Sequence, residues 1–168
     1  GRGIKVVYDM PVGVVLFKDA NLEKAIRDAL GIPTELLKKE DLEKLERLVV
    51  DNEGKPKSEK ISDLTGLEHC TSLTDLNLRH NKITDASPLA NLTSLTYLYL
   101  QFNQISNISV FANLTKLTDL RLYTNQINDI TAVTNLTGLT FLDLGNNAIS
   151  DITAVANLIG LGTLALHN

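Results

Sequence analysis

Hydrophobic and polar positions along the second half of the chain follow a unit that returns every 22 residues. Each unit carries three leucines, then an asparagine and an isoleucine, so that it reads L-T-x-L-x-L-x-x-N-x-I. One leucine column consists of Leu76, Leu98, Leu120, Leu142 and Leu164, and the asparagine column consists of Asn81, Asn103, Asn125 and Asn147. A fixed period of this length predicts a repeat architecture in which each unit packs only on its neighbours.

The positions within the unit predict its local structure. The Leu-x-x-Leu-x-Leu stretch is typical of a short strand with inward leucines, and successive strands are expected to pair in parallel about 4.8 Å apart. The asparagines are expected to satisfy buried backbone groups where the chain leaves the strand, since a buried polar group without a hydrogen bond is costly. This unit is the signature of a leucine-rich repeat. We therefore predict an α/β solenoid of 22-residue units, with a concave parallel β-sheet and a short 3-10 or irregular convex side.

Residues with hydroxyl groups form another column, which contains Thr65, Ser87, Ser109, Thr131 and Thr153. These hydroxyls are expected to cap a short helical turn at the back of each coil. Two residues earlier lie Asp63, Asp85, Asn107, Asp129 and Asp151, which can hold the same corner. A row of aspartates also suits calcium, but Asn107 interrupts the row and capping already explains it.

The segment before the repeats has the periodicity of a helix. Apolar residues from Leu22 to Leu30 recur at helical spacing and form one face. Either Asp19 or Asn21 can cap the start of this helix, and a second helical piece is expected from Glu40 to Leu48. A solenoid exposes its core and an unpaired strand edge at its first unit unless something covers them. We therefore predict that residues 17–48 form an N-terminal helical cap and that residues 49–168 form the repeats.

The two ends of the chain carry less regular patterns. Residues 1–16 form an N-terminal segment that is either native or partly vector-derived, with strand-like stretches at Ile4–Tyr8 and Val12–Leu16. In the first repeat, Leu45, Leu48 and Val50 occupy the strand positions, and the next set begins at Leu73, 28 residues after Leu45 rather than 22. The extra residues fall in Asp51–Lys60, where Asn52–Ser58 is typical of an exposed turn. The last repeat stops at Asn168, before its asparagine position, and we interpret this as truncation in mid-repeat. The leucines at that end would lack a covering unit, so self-association there is a further expectation.

Composition narrows the classes of function. The chain has a net charge of −4, which disfavours a nucleic-acid or anionic-membrane partner. No apolar run approaches the roughly 20 residues that a membrane-spanning helix needs, and none is typical of a signal peptide, so we predict no membrane insertion. The single cysteine, Cys70, falls in a column that is otherwise leucine, and we interpret it as a small core residue rather than a reactive thiol.

The variable positions of the strands predict where function lies. Aromatic residues cluster in three adjacent repeats, at positions that face the concave side instead of the core. Exposed aromatics flanked by charges resemble the energetic centres of protein interfaces, although tyrosine and phenylalanine also suit strands for their own sake. The predicted partner-binding residues are Tyr97, Tyr99, Phe102, Tyr123, Phe141, Arg79, Asp119, Arg121 and Asp143. No phosphate loop, zinc spacing or catalytic grouping is recognisable, so we predict a protein-binding module that is not an enzyme and needs no cofactor or metal.

Several stretches resemble the internalin-type leucine-rich repeats of bacterial surface proteins. The repeat at Ile83–Thr96 (ITDASPLANLTSLT) is close to that family's repeat, and the cap is similar at Asp19–Arg27 (DANLEKAIR), Asp41–Leu45 (DLEKL) and Leu64–Glu68 (LTGLE). The resemblance covers about residues 17–168. It implies a curved parallel-sheet scaffold, secretion or display on a bacterial surface, and binding of a host or other partner protein through the concave face.

Two features depart from that family, and two other functions stay open. Lys38 occupies the place where the family usually has a threonine that caps a helix, and the loop near Asn52 is enlarged. The repeats could instead belong to an intracellular regulatory subunit that docks an enzyme such as a phosphatase, or to an engineered repeat scaffold. The family's partner does not carry over, because the variable columns set the contacts.

Overall fold

The structure, a computed structural model, describes residues 11–167 of the chain. The predicted strand at Ile4–Tyr8 and the last residue, Asn168, lie outside the described residues. The helices are α1 (Ala20–Leu30) and α2 (Lys39–Leu42), and the strands are β1 (Arg47–Val49), β2 (Asp75–Asn77), β3 (Tyr97–Tyr99), β4 (Asp119–Arg121), β5 (Phe141–Asp143) and β6 (Thr163–Ala165). The longest helix, α1, has 11 residues, and none of the described helices combines the length and apolar character needed to span a bilayer.

The six strands form one parallel sheet in the order of the sequence. Leu76 on β2 lies opposite Leu98 on β3, and the same 22-residue offset continues to β6. Leu48 on β1 lies opposite Leu76, an offset of 28 residues (76 minus 48), so the first repeat is longer than the others. The predicted solenoid with a concave parallel sheet is therefore confirmed.

The core runs along the inside of the coils. The central leucine of each strand from β1 to β5 is no more than 2% exposed, and the side chains that meet it from the convex side, such as Leu89 and Phe111, are fully buried. Cys70 is fully buried in this layer, and burial raises the pKa of its thiol to about 12. The thiol is therefore an apolar filler that is neutral at physiological pH.

One asparagine in each coil joins it to the coil before. The side-chain Nδ2 of Asn103 donates to the carbonyls of Leu100 in its own coil and Leu78 in the preceding one, at 3.0 Å each. Its Oδ1 accepts the N–H of Ile83 at 3.0 Å. Asn81, Asn125 and Asn147 repeat these three bonds. We call this set the asparagine ladder; it confirms the role predicted for the column.

The corners on the convex side are held by the row of aspartates and not by the predicted hydroxyl caps. Asp85 accepts the N–H of Ser87 at 2.8 Å, and the Ser87 hydroxyl donates to the same carboxylate at 2.9 Å. The prediction that hydroxyls act as caps is wrong, because Ser87 opens a short 3-10 helix and the acceptor is the residue two positions earlier. The corresponding bond recurs at Asp63, Asn107, Asp129 and Asp151. The aspartate row is thus accounted for by local turns.

The Asp19 carboxylate joins the cap to the first coil, beside the shared core that contains Leu22 and Ile61. Asp19 caps α1, because its Oδ1 accepts the N–H groups of Asn21 at 2.9 Å and Leu22 at 3.2 Å. Its Oδ2 accepts the N–H of Ser62 at 2.8 Å and that of Asp63 at 3.3 Å. Burial alone would raise the pKa of Asp19, but these backbone hydrogen bonds outweigh it and hold the pKa below the ordinary value of 3.8.

Two boundaries near the first strand differ from the predicted ones. The helical piece expected from Glu40 to Leu48 ends at Leu42, and β1 begins at Arg47 inside the predicted cap. Pairing with β2 overrides the local helical pattern there. Asn52, predicted to be exposed, is only 9% exposed and donates to the Asn81 Oδ1 at 2.8 Å. The exposed part of the enlarged loop is residues 53–59.

Replacing Asp19 by Asn should lower the free energy of unfolding by about 2–4 kcal/mol near neutral pH, because an amide group cannot accept all the backbone N–H groups that the carboxylate serves. The folded-state pKa of Asp19 is lowered, so its contribution is present above about pH 4 and is lost as the pH falls through that lowered value. Urea unfolding of the unmodified chain and of Asp19→Asn, at about pH 7 and about pH 3, measures the difference in unfolding free energy at each pH. A stability difference between the two proteins that stays constant over this range would contradict the role of the ionised Asp19 carboxylate in attaching the cap.

Candidate functional site

The concave side of the sheet carries three columns of side chains. The central residue of each strand points into the core, so the first and third residues face the other way, and the residue two positions later continues the pattern. We call this surface the concave face. Its columns, in order from β1 to β6, are Arg47, Asp75, Tyr97, Asp119, Phe141 and Thr163; Val49, Asn77, Tyr99, Arg121, Asp143 and Ala165; and Asp51, Arg79, Gln101, Tyr123, Gly145 and His167.

Arg121 lies at the centre of the concave face between two aromatic rings. Its guanidinium carbon is 4.7 Å from the ring centre of Tyr99 and 4.5 Å from that of Phe141. Nε and one terminal nitrogen donate to the two carboxylate oxygens of Asp119, at 2.9 Å and 2.8 Å. A planar guanidinium held in this way has lost its rotational freedom before any partner arrives. We call these four residues the Arg121 cluster.

Asp119 supports this cluster from within. Its side chain also accepts the hydroxyl of Tyr99 at 3.0 Å, and the residue is only 9% exposed. Burial, and then the hydrogen bond to Asp119, raises the pKa of Tyr99 above 10.0, while the same carboxylate raises that of Arg121. Both groups therefore keep their protons over the whole physiological range. Among the predicted binding residues, Asp119 is thus placed to orient Tyr99 and Arg121 rather than to offer surface of its own.

A second aromatic group follows the edge of the sheet where the strands end. The rings of His80 and Phe102 stack with centres 4.3 Å apart, Tyr123 meets Phe102 edge-on at 5.4 Å, and His167 lies 5.5 Å from Tyr123. We call these four residues the aromatic rim. Gly145 makes room for it, since a Cβ there would come within 2.9 Å of the Tyr123 ring. The rim and the Arg121 cluster together bring all five predicted aromatic residues except Tyr97 into contact with other rings or with Arg121.

The rim includes a bulky residue with an unusual backbone. Phe102 has a φ of +56°, as do its equivalents His80, Thr124 and Asn146 to within a few degrees. Its N–H donates to the carbonyl of Tyr123 at 3.0 Å, so inter-coil pairing holds the left-handed conformation. Asparagine adopts this conformation at little cost and phenylalanine does not. The strain belongs to this turn in several coils, since His80 and Thr124 adopt the same conformation.

The exposure of the predicted residues is uneven. Tyr97 and Phe102 are each 41% exposed, whereas Tyr99, Tyr123 and Phe141 are half-buried. Arg79 bonds to Asp51 in the enlarged loop at 2.7 Å instead of joining the Arg121 cluster, and Asp143 accepts the Gly145 N–H at 3.1 Å. Six of the nine predicted residues therefore lie in the Arg121 cluster or the aromatic rim, whereas Tyr97, Asp143 and Arg79 belong to neither group.

One group of side chains has the composition of a metal site. Asp51, Glu53 and His80 place possible ligand atoms within 4.8 Å of one another. Asp51 is already bonded to Arg79 at 2.7 Å and to His80 Nδ1 at 2.8 Å. Burial alone would raise the pKa of Asp51, but these two hydrogen bonds outweigh it and hold the pKa below 3.8. The Asp51 carboxylate is thus engaged in an ion pair with Arg79 at the margin of the concave face.

The predicted binding residues do not include the residues of β1 and β2 that extend this surface. Arg47, Val49, Asp75 and Asn77 border a small depression beside Tyr97. The stretch that contains Arg47 was predicted both as the end of a helix and as the strand of the first repeat. The structure forms the strand, and the 28-residue spacing between Leu48 and Leu76 aligns Arg47 with Asp75.

Comparisons with known proteins agree with this architecture. A family profile of leucine-rich repeats, in two copies, matches residues 71–113, 93–135 and 115–160. Internalin InlF of Listeria monocytogenes is 35% identical with a TM-score of 0.73, over 88% of this chain and 49% of its own. Internalin C2 of the same species is 29% identical with a TM-score of 0.68, over 89% and 74%. The functional domain of InlJ from Listeria monocytogenes, which includes a cysteine ladder, is 32% identical with a TM-score of 0.81, over 89% and 31%.

The chain spans about half the length of InlF and about a third of InlJ. None of the curated proteins matches it. The column that contains Cys70 continues as leucine in the later repeats, and the chain has one cysteine in all, so the cysteine ladder of InlJ has no counterpart here.

Two substitutions of Phe102 separate the strain of its backbone from the contacts of its ring. Both Phe102→Ala and Phe102→Asn remove the ring, but only asparagine tolerates a φ of +56°. We expect Phe102→Asn to be more stable than Phe102→Ala by about 1 kcal/mol in chemical denaturation. Equal stability of the two variants would show that the backbone at this position is unstrained.

Proposed function

This chain belongs to the leucine-rich-repeat family and is internalin-like, and from that premise we propose that its concave face binds a partner protein. The observation that carries the proposal is the pair of exposed rings, Tyr97 and Phe102, beside a preordered Arg121 cluster. Aromatic and arginine side chains dominate the energetics of protein interfaces, and they contribute most where little freedom remains to be lost on binding.

The concave aromatic residues are not needed to hold the repeat together. The core of each coil is filled by leucine, isoleucine and the convex-side residues. Of the predicted aromatics, Tyr97, Tyr99 and Phe141 occupy outward positions of β3 and β5, and Phe102 and Tyr123 follow the ends of β3 and β4. Phe102 even adds strain to its turn. A cluster of rings outside the core in three adjacent coils is what a recognition surface requires. Tyr97, Tyr99, Phe102, Tyr123, Phe141 and Arg121 are the proposed contacts, with Asp119 and Asp143 in support and Arg79 at the margin.

Binding, rather than catalysis, is the proposed activity. The polar groups at the centre of the concave face are bonded to one another, as Asp119 is to Tyr99 and Arg121. A general base or nucleophile needs a reactive group free to meet a substrate. As part of the same proposal, the protein is secreted or displayed on a bacterial surface, as the internalin resemblance implies. Self-association through the C-terminal end stays a prediction.

Substituting the two most exposed rings tests the proposal at small cost in stability. The double variant Tyr97→Ala with Phe102→Asn should lose partner affinity by roughly thirtyfold or more, as expected for interface hot spots. Its melting temperature should stay close to that of the unmodified chain, because both residues lie outside the core. Immobilised protein is presented to a displayed panel of extracellular protein domains, and the affinity of each retained domain is then measured.

The matched control is Ile152→Ala with Ile159→Ala, since both isoleucines are exposed apolar residues in the convex part of the last coil. The control should retain every partner that the unmodified chain retains. Equal binding by the concave double variant, loss of binding only in the convex control, or no domain retained by the unmodified chain would each contradict the proposal.

A further inference from the structure

A shallow trough lies on the concave face between β1 and β3, beside the predicted binding residues. Its cavity volume is about 80 Å³, and it is bordered by Arg47, Val49, Asp75, Asn77, Tyr97 and Tyr99. The floor is Leu76, which is only 1% exposed. We call this depression the β1–β3 trough.

The trough follows from the lengths of the side chains on three neighbouring strands. β2 carries the short Asp75 and Asn77, whereas β1 carries Arg47 on one side and β3 carries two tyrosines on the other. Short side chains between longer ones leave a hollow along the middle strand. Tyr99, one wall of the hollow, is fixed by the bond from its hydroxyl to Asp119 at 3.0 Å. The cavity is therefore built into the rigid sheet.

The border of the trough combines apolar side chains with one positive and one negative charge. Val49 is 51% exposed and Tyr97 is 41% exposed, so both offer apolar surface that the fold itself leaves open. Arg47 and Asp75 are register partners on adjacent strands and carry opposite charges. A basic side chain would be attracted by Asp75 but repelled by Arg47. An acidic side chain would be attracted by Arg47 but repelled by Asp75. An uncharged occupant therefore matches the trough best.

The volume of the trough restricts the size of that occupant. A cavity of about 150 Å³ accepts a benzene molecule, so the trough, at about 80 Å³, does not enclose a whole aromatic ring. It does accommodate a few methyl or methylene groups. Burying such groups against Val49 and Tyr97 is favourable in proportion to the apolar area removed from water.

We propose that the β1–β3 trough receives one small aliphatic side chain of the bound partner protein. The inference rests on the proposed function and deepens it, because it adds residues of β1 and β2 to the predicted aromatic residues Tyr97 and Tyr99, which form one wall of the trough. Asn77 adds a polar contact at the same place: its side-chain oxygen accepts the Arg79 N–H at 3.2 Å, which leaves the amide N–H groups to donate to a backbone carbonyl beside that side chain.

The test uses a defined probe in place of the unidentified partner. N-acetyl-leucine methylamide is titrated into the isotopically labelled chain, and the methyl signals of Val49 and the side-chain amide signals of Asn77 are followed by NMR. We expect saturable shifts with a dissociation constant on the order of millimolar to tens of millimolar. The corresponding lysine and phenylalanine derivatives should shift these signals at least several-fold less at equal concentration.

Variants that fill or spare the trough make the test specific. Asn77→Phe places a ring over the floor and should abolish the shifts at Val49, while Ala165→Phe adds the same ring to the same column on β6 and should leave them intact. Val49→Asn, which replaces an apolar wall without adding bulk, should weaken the shifts. Absence of saturable shifts, equal shifts from the lysine or phenylalanine probe, or shifts that persist in Asn77→Phe would each overturn the inference.

The outcome separates this inference from the broader proposal. If Asn77→Phe still binds a partner that the Tyr97 and Phe102 double variant no longer binds, the concave face binds that partner and the trough takes no part. A partner that both variants retain would remove concave binding as well. Loss in both, together with the expected probe shifts, supports the two proposals jointly.

Discussion

Backbone polar groups that turn inward at the end of every strand are the constraint on which this fold depends. Leaving them unpaired in the interior would cost about 1–3 kcal/mol per group. One asparagine per coil pairs three of them, and because two of those three belong to the preceding coil, the same side chain fixes the spacing between coils. Leucine burial supplies most of the favourable free energy, but it is non-directional; the asparagine ladder is what gives each coil its register on the next.

The concave face inherits its geometry from that register. Residues 22 apart in the sequence become neighbours in a column, so Tyr97 adjoins Asp119 and Tyr99 adjoins Arg121. The Arg121 cluster draws on β3, β4 and β5, and the aromatic rim runs from β2 to the last coil. Neither group exists within one repeat. If one coil paired with its neighbour in a different register, these contacts would be lost. The surface proposed to bind a partner would then not form, although the sequence of each repeat would be the same.

The sequence predicted the parts of this structure that repeat, since leucine and asparagine columns report directly on inward positions. It was ambiguous where local and long-range preferences disagree: the stretch around Leu48 has both a helical pattern and the leucine spacing of the first repeat, and pairing with β2 makes it a strand. The column positions of the aromatic residues were predicted, but their contacts were not. That Asp119 would be buried under Tyr99 and Arg121 depends on side-chain rotamers across adjacent strands, which a periodic pattern does not encode. The β1–β3 trough could not be predicted from the repeat pattern, because it arises from the short side chains of β2 between longer side chains on β1 and β3.

Hydrogen exchange in an Asn103→Ala variant tests the role of the asparagine ladder most directly. The substitution removes the acceptor of the Ile83 N–H. It also takes one of two donors from the Leu78 carbonyl, which keeps Asn81, and from the Leu100 carbonyl, which keeps Asn125. The predicted result is a loss of about 1–3 kcal/mol in unfolding free energy, with exchange of the Ile83 amide at least about tenfold faster than in an Asn91→Ala control, whose asparagine is exposed. An Ile83 amide that stays as protected as in the control, with stability unchanged, would contradict the view that the ladder sets the register of the coils.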